Sequence, residues 1–123
     1  FESYLVSCTD ELIALVDRVN HPNCQLMFDS FHANIEETNL GDAIRKMGNR
    51  LVHVQLSENH RGTLGAGHVD FKNILTALED INYKGMISIE AFSSKLSAAN
   101  IWRNMFESEM QLVNDSIQYL KSI

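Results

Sequence analysis

Two short apolar runs in this chain each end in a carboxylate. Leu26-Met27-Phe28 leads into Asp29, and Ile87-Ser88-Ile89 leads into Glu90. Burying an unpaired carboxylate costs several kcal/mol, so a core strand that finishes in acid needs a reason. Between them lies a Gly-rich, polar strand–loop segment, in which Leu51 to Leu56 reads as a strand and opens into a loop containing Gly62, Gly65 and Gly67. Strands that deliver polar groups to a common end are how parallel α/β proteins build sites.

The segments around these runs have helical periodicity. Leu12, Ile13, Leu15, Val16 and Val19 form one apolar face, with Thr9 or Asp10 as its cap and Pro22 beyond its end. Cys24 to Phe28 reads as the first strand, and His32 to Asn39 as a polar connection. Gly41 to Met47 reads as a short helix closed by Gly48. Asp70 caps a helix carrying Phe71, Ile74, Leu75, Leu78 and Ile81, and Met86 to Ala91 is the third strand. The remainder, from Leu96 to Ile123, is expected to be helical in two pieces. Ser108 caps the second, and Met110, Leu112, Val113, Ile117 and Leu120 turn inward. Trp102 and Phe106 read as core.

Alternating helices and strands imply parallel strands with helical crossovers. By period-two reading, Val52, Val54 and Leu56 share one face of the second strand, and His53 and Gln55 share the other. One sheet face is then apolar, while the other turns polar toward the strand ends. An open doubly wound sheet would be apolar on both faces, so a barrel interior fits better. Three strands are fewer than half of an eight-stranded barrel. Together with a start at Phe1 and no initiator Met, this gives the expectation of a piece of a longer protein.

Composition removes several classes. A net charge of −6 with interspersed signs does not match a phosphate-backbone footprint, so no nucleic-acid partner is expected. No apolar run approaches the ~20 residues of a membrane span. Cys8 and Cys24 are isolated, which fits reduced thiols and a cytoplasmic setting. The glycine spacing G-x-x-G-x-G is not a dinucleotide fingerprint.

Asp29, Gln55 and Glu90 are expected to converge at the carboxyl ends of neighbouring strands. Two carboxylates and an amide oxygen suit a hard or borderline divalent cation. Asp29 could equally be a helix cap or the partner of Arg45 or Arg61. His32 reads from position alone as a surface loop residue. Arg61 is either an anion clamp or the partner of Glu58. Glu36-Glu37 reads as a solvated acidic turn, and His53 as a satisfied core histidine.

The run Asp29-Ser30-Phe31-His32-Ala33-Asn34-Ile35-Glu36-Glu37 resembles the D-S/T-F-H-x-N-I-E-E signature of the D-tagatose 3-epimerase/D-psicose (allulose) 3-epimerase branch. That branch belongs to the sugar phosphate isomerase/epimerase superfamily, with xylose isomerase-like TIM barrels. The segment from His53 through Glu58-Asn59-His60-Arg61-Gly62 to Gly67-His68 and the run Ile89-Glu90-Ala91-Phe92 are similar to two further stretches of the same branch. The resemblance implies a TIM (β/α)8-barrel. This chain would be roughly its C-terminal half, helix 5 followed by strands and helices 6 to 8, with no internal domain boundary across 1–123.

The resemblance also implies a divalent metal, Mn2+ foremost with Mg2+ and Co2+ as alternatives, held by Asp29, Gln55 and Glu90 together with a Glu preceding Phe1. Glu90 would be catalytic, and His32, Arg61 and Glu2 would bind substrate. The implied chemistry is sugar epimerisation or isomerisation through a cis-enediolate, by proton abstraction alpha to a ketose carbonyl. Gln55 stands where the branch carries His, and Leu64 where it carries Pro. The first departure keeps open a metal-dependent lyase or dehydratase acting by β-elimination on a 3-keto sugar or inosose. A third reading is an inactive half-barrel that only assembles with a partner. The expected ligand is a small ketose or keto-sugar, and the expected assembly a homo-oligomer.

Overall fold

The computed structural model describes residues 4–101 and 103–123. Three parallel strands form one sheet in the order β1 (Leu26–Asp29), β2 (Leu51–Leu56), β3 (Met86–Ile89). Five α-helices accompany them among the described residues: α1 (Thr9–Val19), α2 (Ser30–Glu36), α3 (Leu40–Met47), α4 (Phe71–Asp80) and α5 (Glu109–Ser122). Parallel strands with a helix in each crossover are what the alternation predicts. Short 3-10 turns occur at Gly48–Arg50 and Ser97–Ala99.

The core lies on one face of the sheet. Leu26 and Phe28 of β1 and Val54 and Leu56 of β2 bury against Ala43, Ile44 and Met47 of α3 and Phe71, Ile74 and Leu78 of α4. Fully burying a side chain such as Phe71 is worth about 1.5–3 kcal/mol. Asn73 ties the two helices together, its Oδ1 accepting from the Gly41 N–H at 2.6 Å. Expected caps hold at Asp70, which accepts from Asn73 N–H at 3.0 Å, and at Ser108, which accepts from Gln111 N–H at 3.2 Å. Gly48 ends α3 at φ +55°, a conformation that glycine adopts without strain.

Several local expectations are corrected. The first strand begins at Leu26 rather than Cys24, because Cys24 N–H closes a turn onto the His21 carbonyl at 2.9 Å. The polar connection from His32 contains α2, whose start is fixed by the Asp29 side chain rather than by an apolar stripe. The cap position of α1 is Cys8, without a side-chain cap. Glu37 of the supposed acidic turn does that work instead, accepting from Thr9 N–H at 2.7 Å.

The period-two reading of β2 fails at Val52. Leu26 pairs with Leu51 and Met27 with His53, so Val52 is the extra residue of a bulge and sits out of phase with Val54. The third strand stops at Ile89, and Ile87 is 44% exposed at the edge of the sheet. Trp102 lies outside the described residues, and among the described ones the stretch from Leu96 to α5 holds a short turn in place of the expected first helix. In α5 the buried positions are Leu112 and Ser116, whereas Met110, Val113 and Ile117 are exposed. Ser116 faces inward because its Oγ accepts from the Leu64 N–H at 3.1 Å.

Candidate active site

The polar groups gather where β1, β2 and β3 end. Asp29 is opposite Gln55 in the β1–β2 register, and Gln55 is opposite Ser88 in the β2–β3 register. Glu90 follows two residues later, its N–H donating to the Leu56 carbonyl at 2.8 Å. Ser30 fastens the first two strand ends: its Oγ donates to the Ser57 carbonyl and accepts from the Ser57 N–H, each at 2.7 Å. Deeper on the same inner face, His53 Nε2 and Ser88 Oγ lie 3.1 Å apart, so His53 is a satisfied interior residue.

Asp29 is the cap of α2. Its Oδ1 accepts from Phe31 N–H at 2.8 Å and His32 N–H at 3.3 Å. The cap reading therefore holds, and Oδ2 has no hydrogen-bond partner among the described residues. Neither Arg45 nor Arg61 pairs with Asp29. Arg45 bonds to Asp42 and Asp80 on the outer surface, where the Asp80 carboxylate holds its guanidinium above the usual arginine range.

Arg61 pairs with Glu90, not with Glu58. Its Nη1 donates to Glu90 Oε2. Its guanidinium lies 3.8 Å from the Phe31 ring centroid and 4.4 Å from that of Phe92. Cation–π contacts of this kind strengthen as water is excluded, and Arg61 is buried. Arg61 Nη2 also lies 3.3 Å from His32 Nε2. A guanidinium can only donate, so in this contact the ring nitrogen is the acceptor. His32, read from position as a surface residue, is thus a half-buried member of the cluster on α2.

The aromatic sandwich of Phe31 and Phe92 was not foreseen, although both residues sit inside the quoted runs. Glu58, which the sequence offers as an alternative partner of Arg61, takes a different role. It is completely buried, and its carboxylate accepts main-chain N–H groups within its own loop. Glu2 lies outside the described residues.

Among the described residues, no group of three or more His, Cys, Asp and Glu side chains gathers closely enough to hold a metal ion. Gln55 is not one of those residue types, so that absence does not bear on the set Asp29, Gln55 and Glu90, which the strand register brings to neighbouring strand ends. With Asp29 Oδ1 engaged by the cap and Glu90 Oε2 by Arg61, the donors left are Asp29 Oδ2, Gln55 Oε1 and Glu90 Oε1. An all-oxygen set of this kind fits a hard divalent cation.

Parallel strands covered by helices on one face, with acid, amide and guanidinium groups at the carboxyl ends on the other, define part of an α/β barrel with its site at the C-terminal mouth. The whole chain, residues 1–123, matches the family described as Xylose isomerase-like TIM barrel, and the chain belongs to that family.

It is 35% identical over 127 residues to an L-ribulose 3-epimerase of Methylomonas sp., covering 98% of this chain and 44% of that protein. It is 40% identical over 109 residues to a D-psicose 3-epimerase of Enterocloster bolteae, covering 85% of this chain and 36% of that one. A D-allulose 3-epimerase from Methylomonas sp., solved in complex with D-allulose, superposes with a TM-score of 0.91 at 37% identity, over 99% of this chain and 44% of that chain. The chain spans less than half the length of these relatives. The three strands are therefore a partial barrel.

Proposed function

We propose that the barrel containing this chain is a divalent-metal-dependent ketose 3-epimerase working through a cis-enediolate. The observation that carries the reading is the Glu90 carboxylate, fixed by Arg61 beside Asp29 and Gln55 at the strand ends. Its support is the likeness to several ketose 3-epimerases.

Asp29, Gln55 and Glu90 would hold the cation, Mn2+ by preference and Mg2+ or Co2+ as alternatives. When bound, it would polarise the ketose carbonyl and acidify the neighbouring C–H. Glu90 removes or returns the C3 proton on one face of the sugar, a task for a positioned carboxylate. A second base on the opposite face completes the inversion and comes from elsewhere in the barrel. Arg61 and His32 bind the O1–O2 end. Arg61 is preorganised by its two rings and offsets the negative charge that develops on oxygen, with little rearrangement at the moment of reaction.

Incubating the intact protein with a ketose and Mn2+ in D2O tests this reading. Deuterium at C3 supports it, and no exchange with any ketose sinks it. Gln55 favours one other reading, β-elimination on a 3-keto sugar, because a neutral amide gives a different metal environment from imidazole. A product absorbing in the ultraviolet, with no C3 epimer, would select that reaction. We place the enzyme in the cytoplasm as a homo-oligomer. No helix among the described residues is long and apolar enough to cross a membrane.

A further inference from the structure

We propose that Glu58 is a positioning residue, which sets Arg61 against Glu90 by holding the loop between β2 and α4 closed around its own carboxylate. The consequence for catalysis rests on the sugar-site reading above; the positioning itself does not.

Glu58 is 0% exposed, and no Lys, Arg or His pairs with it among the described residues. Its carboxylate is satisfied by the main chain. Oε1 accepts from Asn59 N–H and Val69 N–H, and Oε2 from Gly65 N–H, each at 3.0 Å. A charge without a counter-ion is expensive to bury, and an apolar side chain would fill the same space at lower cost. The carboxylate supplies directed acceptors that gather amides seven and eleven residues away in sequence.

The loop is shaped to this arrangement. Gly65 adopts φ +81°, and a Cβ on Gly67 would run into the Glu58 carboxylate and the Asn59 amide oxygen. Asn59 Oδ1 in turn accepts from His68 N–H at 3.0 Å.

Arg61 is fixed from both sides of this loop. Its N–H donates to the Glu58 carbonyl at 2.8 Å, and its carbonyl accepts from Phe92 N–H at 2.9 Å, just beyond β3. Its φ of +60° is a conformation that a non-glycine residue holds only when its surroundings impose it. With the loop closed, the guanidinium lies between Phe31 and Phe92, where it meets Glu90. A carboxylate that merely braced the fold would have no particular effect on Arg61.

The test follows the Arg61 side chain by NMR in the intact protein labelled with 15N-arginine. The Arg61 Nε–H signal is assigned by its loss in Arg61→Lys. In the unsubstituted protein the two rings should shift this signal and burial should slow its exchange with water. In Glu58→Gln the ring-current shift should collapse and exchange should accelerate, while the amides of β2 stay protected. An Arg61 signal that keeps its position in folded Glu58→Gln overturns the proposal.

Gly67→Ala provides a second reading, since it crowds the carboxylate without altering any charge. An unmoved signal there overturns the proposal as well. A catalytic arm separates the two levels of inference. Glu58→Gln should lower kcat/KM about 10²-fold, the size of effect a misplaced group produces, yet add nothing in an Arg61→Ala background. Fully additive losses overturn the proposal. An inactive unsubstituted enzyme overturns the epimerase reading and leaves the NMR result to decide the role of Glu58.

Discussion

Arg61 and Glu90 form an ion pair across the ends of β2 and β3, with the guanidinium sandwiched between Phe31 and Phe92. The pair joins the Gly-rich loop to the strand that ends in acid. Arg61→Lys keeps the charge but loses the planar stack and the fork of donors. Both Arg61→Lys and Arg61→Ala should lower kcat/KM for a ketose by about 10²–10³-fold. Steady-state kinetics giving an Arg61→Lys enzyme equal to the unsubstituted one would remove the guanidinium from the mechanism.

Glu90→Gln keeps the shape of the side chain and removes the proton acceptor. Exchange of deuterium into C3 should fall by about 10²–10⁴-fold, the usual contribution of a general acid–base group. Circular dichroism should show the fold unchanged. Exchange persisting at the original rate would mean that another residue moves the proton.

Asp29 has two tasks that substitution can separate. Asp29→Asn retains an oxygen for the cap of α2, so thermal stability should change little, whereas Mn2+ binding measured by calorimetry should weaken. Asp29→Ala should weaken binding and also cost about 1 kcal/mol through the lost cap. Undiminished Mn2+ affinity in both variants would leave Asp29 a cap alone.

Gln55→His should redistribute metal preference rather than simply strengthen it. Imidazole suits Co2+ better than Mg2+, so the ratio of the two affinities should rise in the variant. A ratio unchanged in competition titrations would place Gln55 outside the coordination sphere.

Tyr119 gives a pH signature. It packs edge-on against Phe71 at a centroid distance of 6.1 Å. Burial pushes its phenol above the ordinary range, and the charges of Glu58 and Asp70 push it further. The folded state therefore keeps this proton longer than the unfolded chain does. The stabilisation is fully present below about pH 10, the unperturbed tyrosine value, and is lost as pH rises from there through the raised folded value. Tyr119→Phe should flatten the alkaline fall in stability; Tyr83, also pushed up by burial, titrates in both proteins. Parallel alkaline denaturation curves would contradict this assignment.

The strands and their parallel direction follow from the alternation of apolar runs with helical segments, whereas their order in the sheet comes from the fold, and the acid-ended runs mark where the candidate site lies. Asp70 and Ser108 were legible as caps because capping is a contact between residues three apart. Helix α2 was not, since its seven residues carry no apolar stripe and its start depends on what Asp29 does. The bulge at Val52 was hidden for a related reason: a slip in pairing is a property of two strands, and in the β2 sequence Val52 alternates in phase with Val54 and Leu56.

The sequence by itself determined the alternation of helices and strands, the apolar face of the sheet, the likeness to the ketose 3-epimerase branch, and the residues from which a site could be assembled. Tertiary structure alone decided which of those residues meet. Arg61 chooses Glu90, twenty-nine residues away, over the nearby Glu58, and Glu58 spends its charge on loop amides instead. The physical reason is that local periodicity encodes which face of an element is buried, whereas ion pairs and buried carboxylates are settled by the geometry of whichever strand ends and loops the closed fold brings within hydrogen-bond reach.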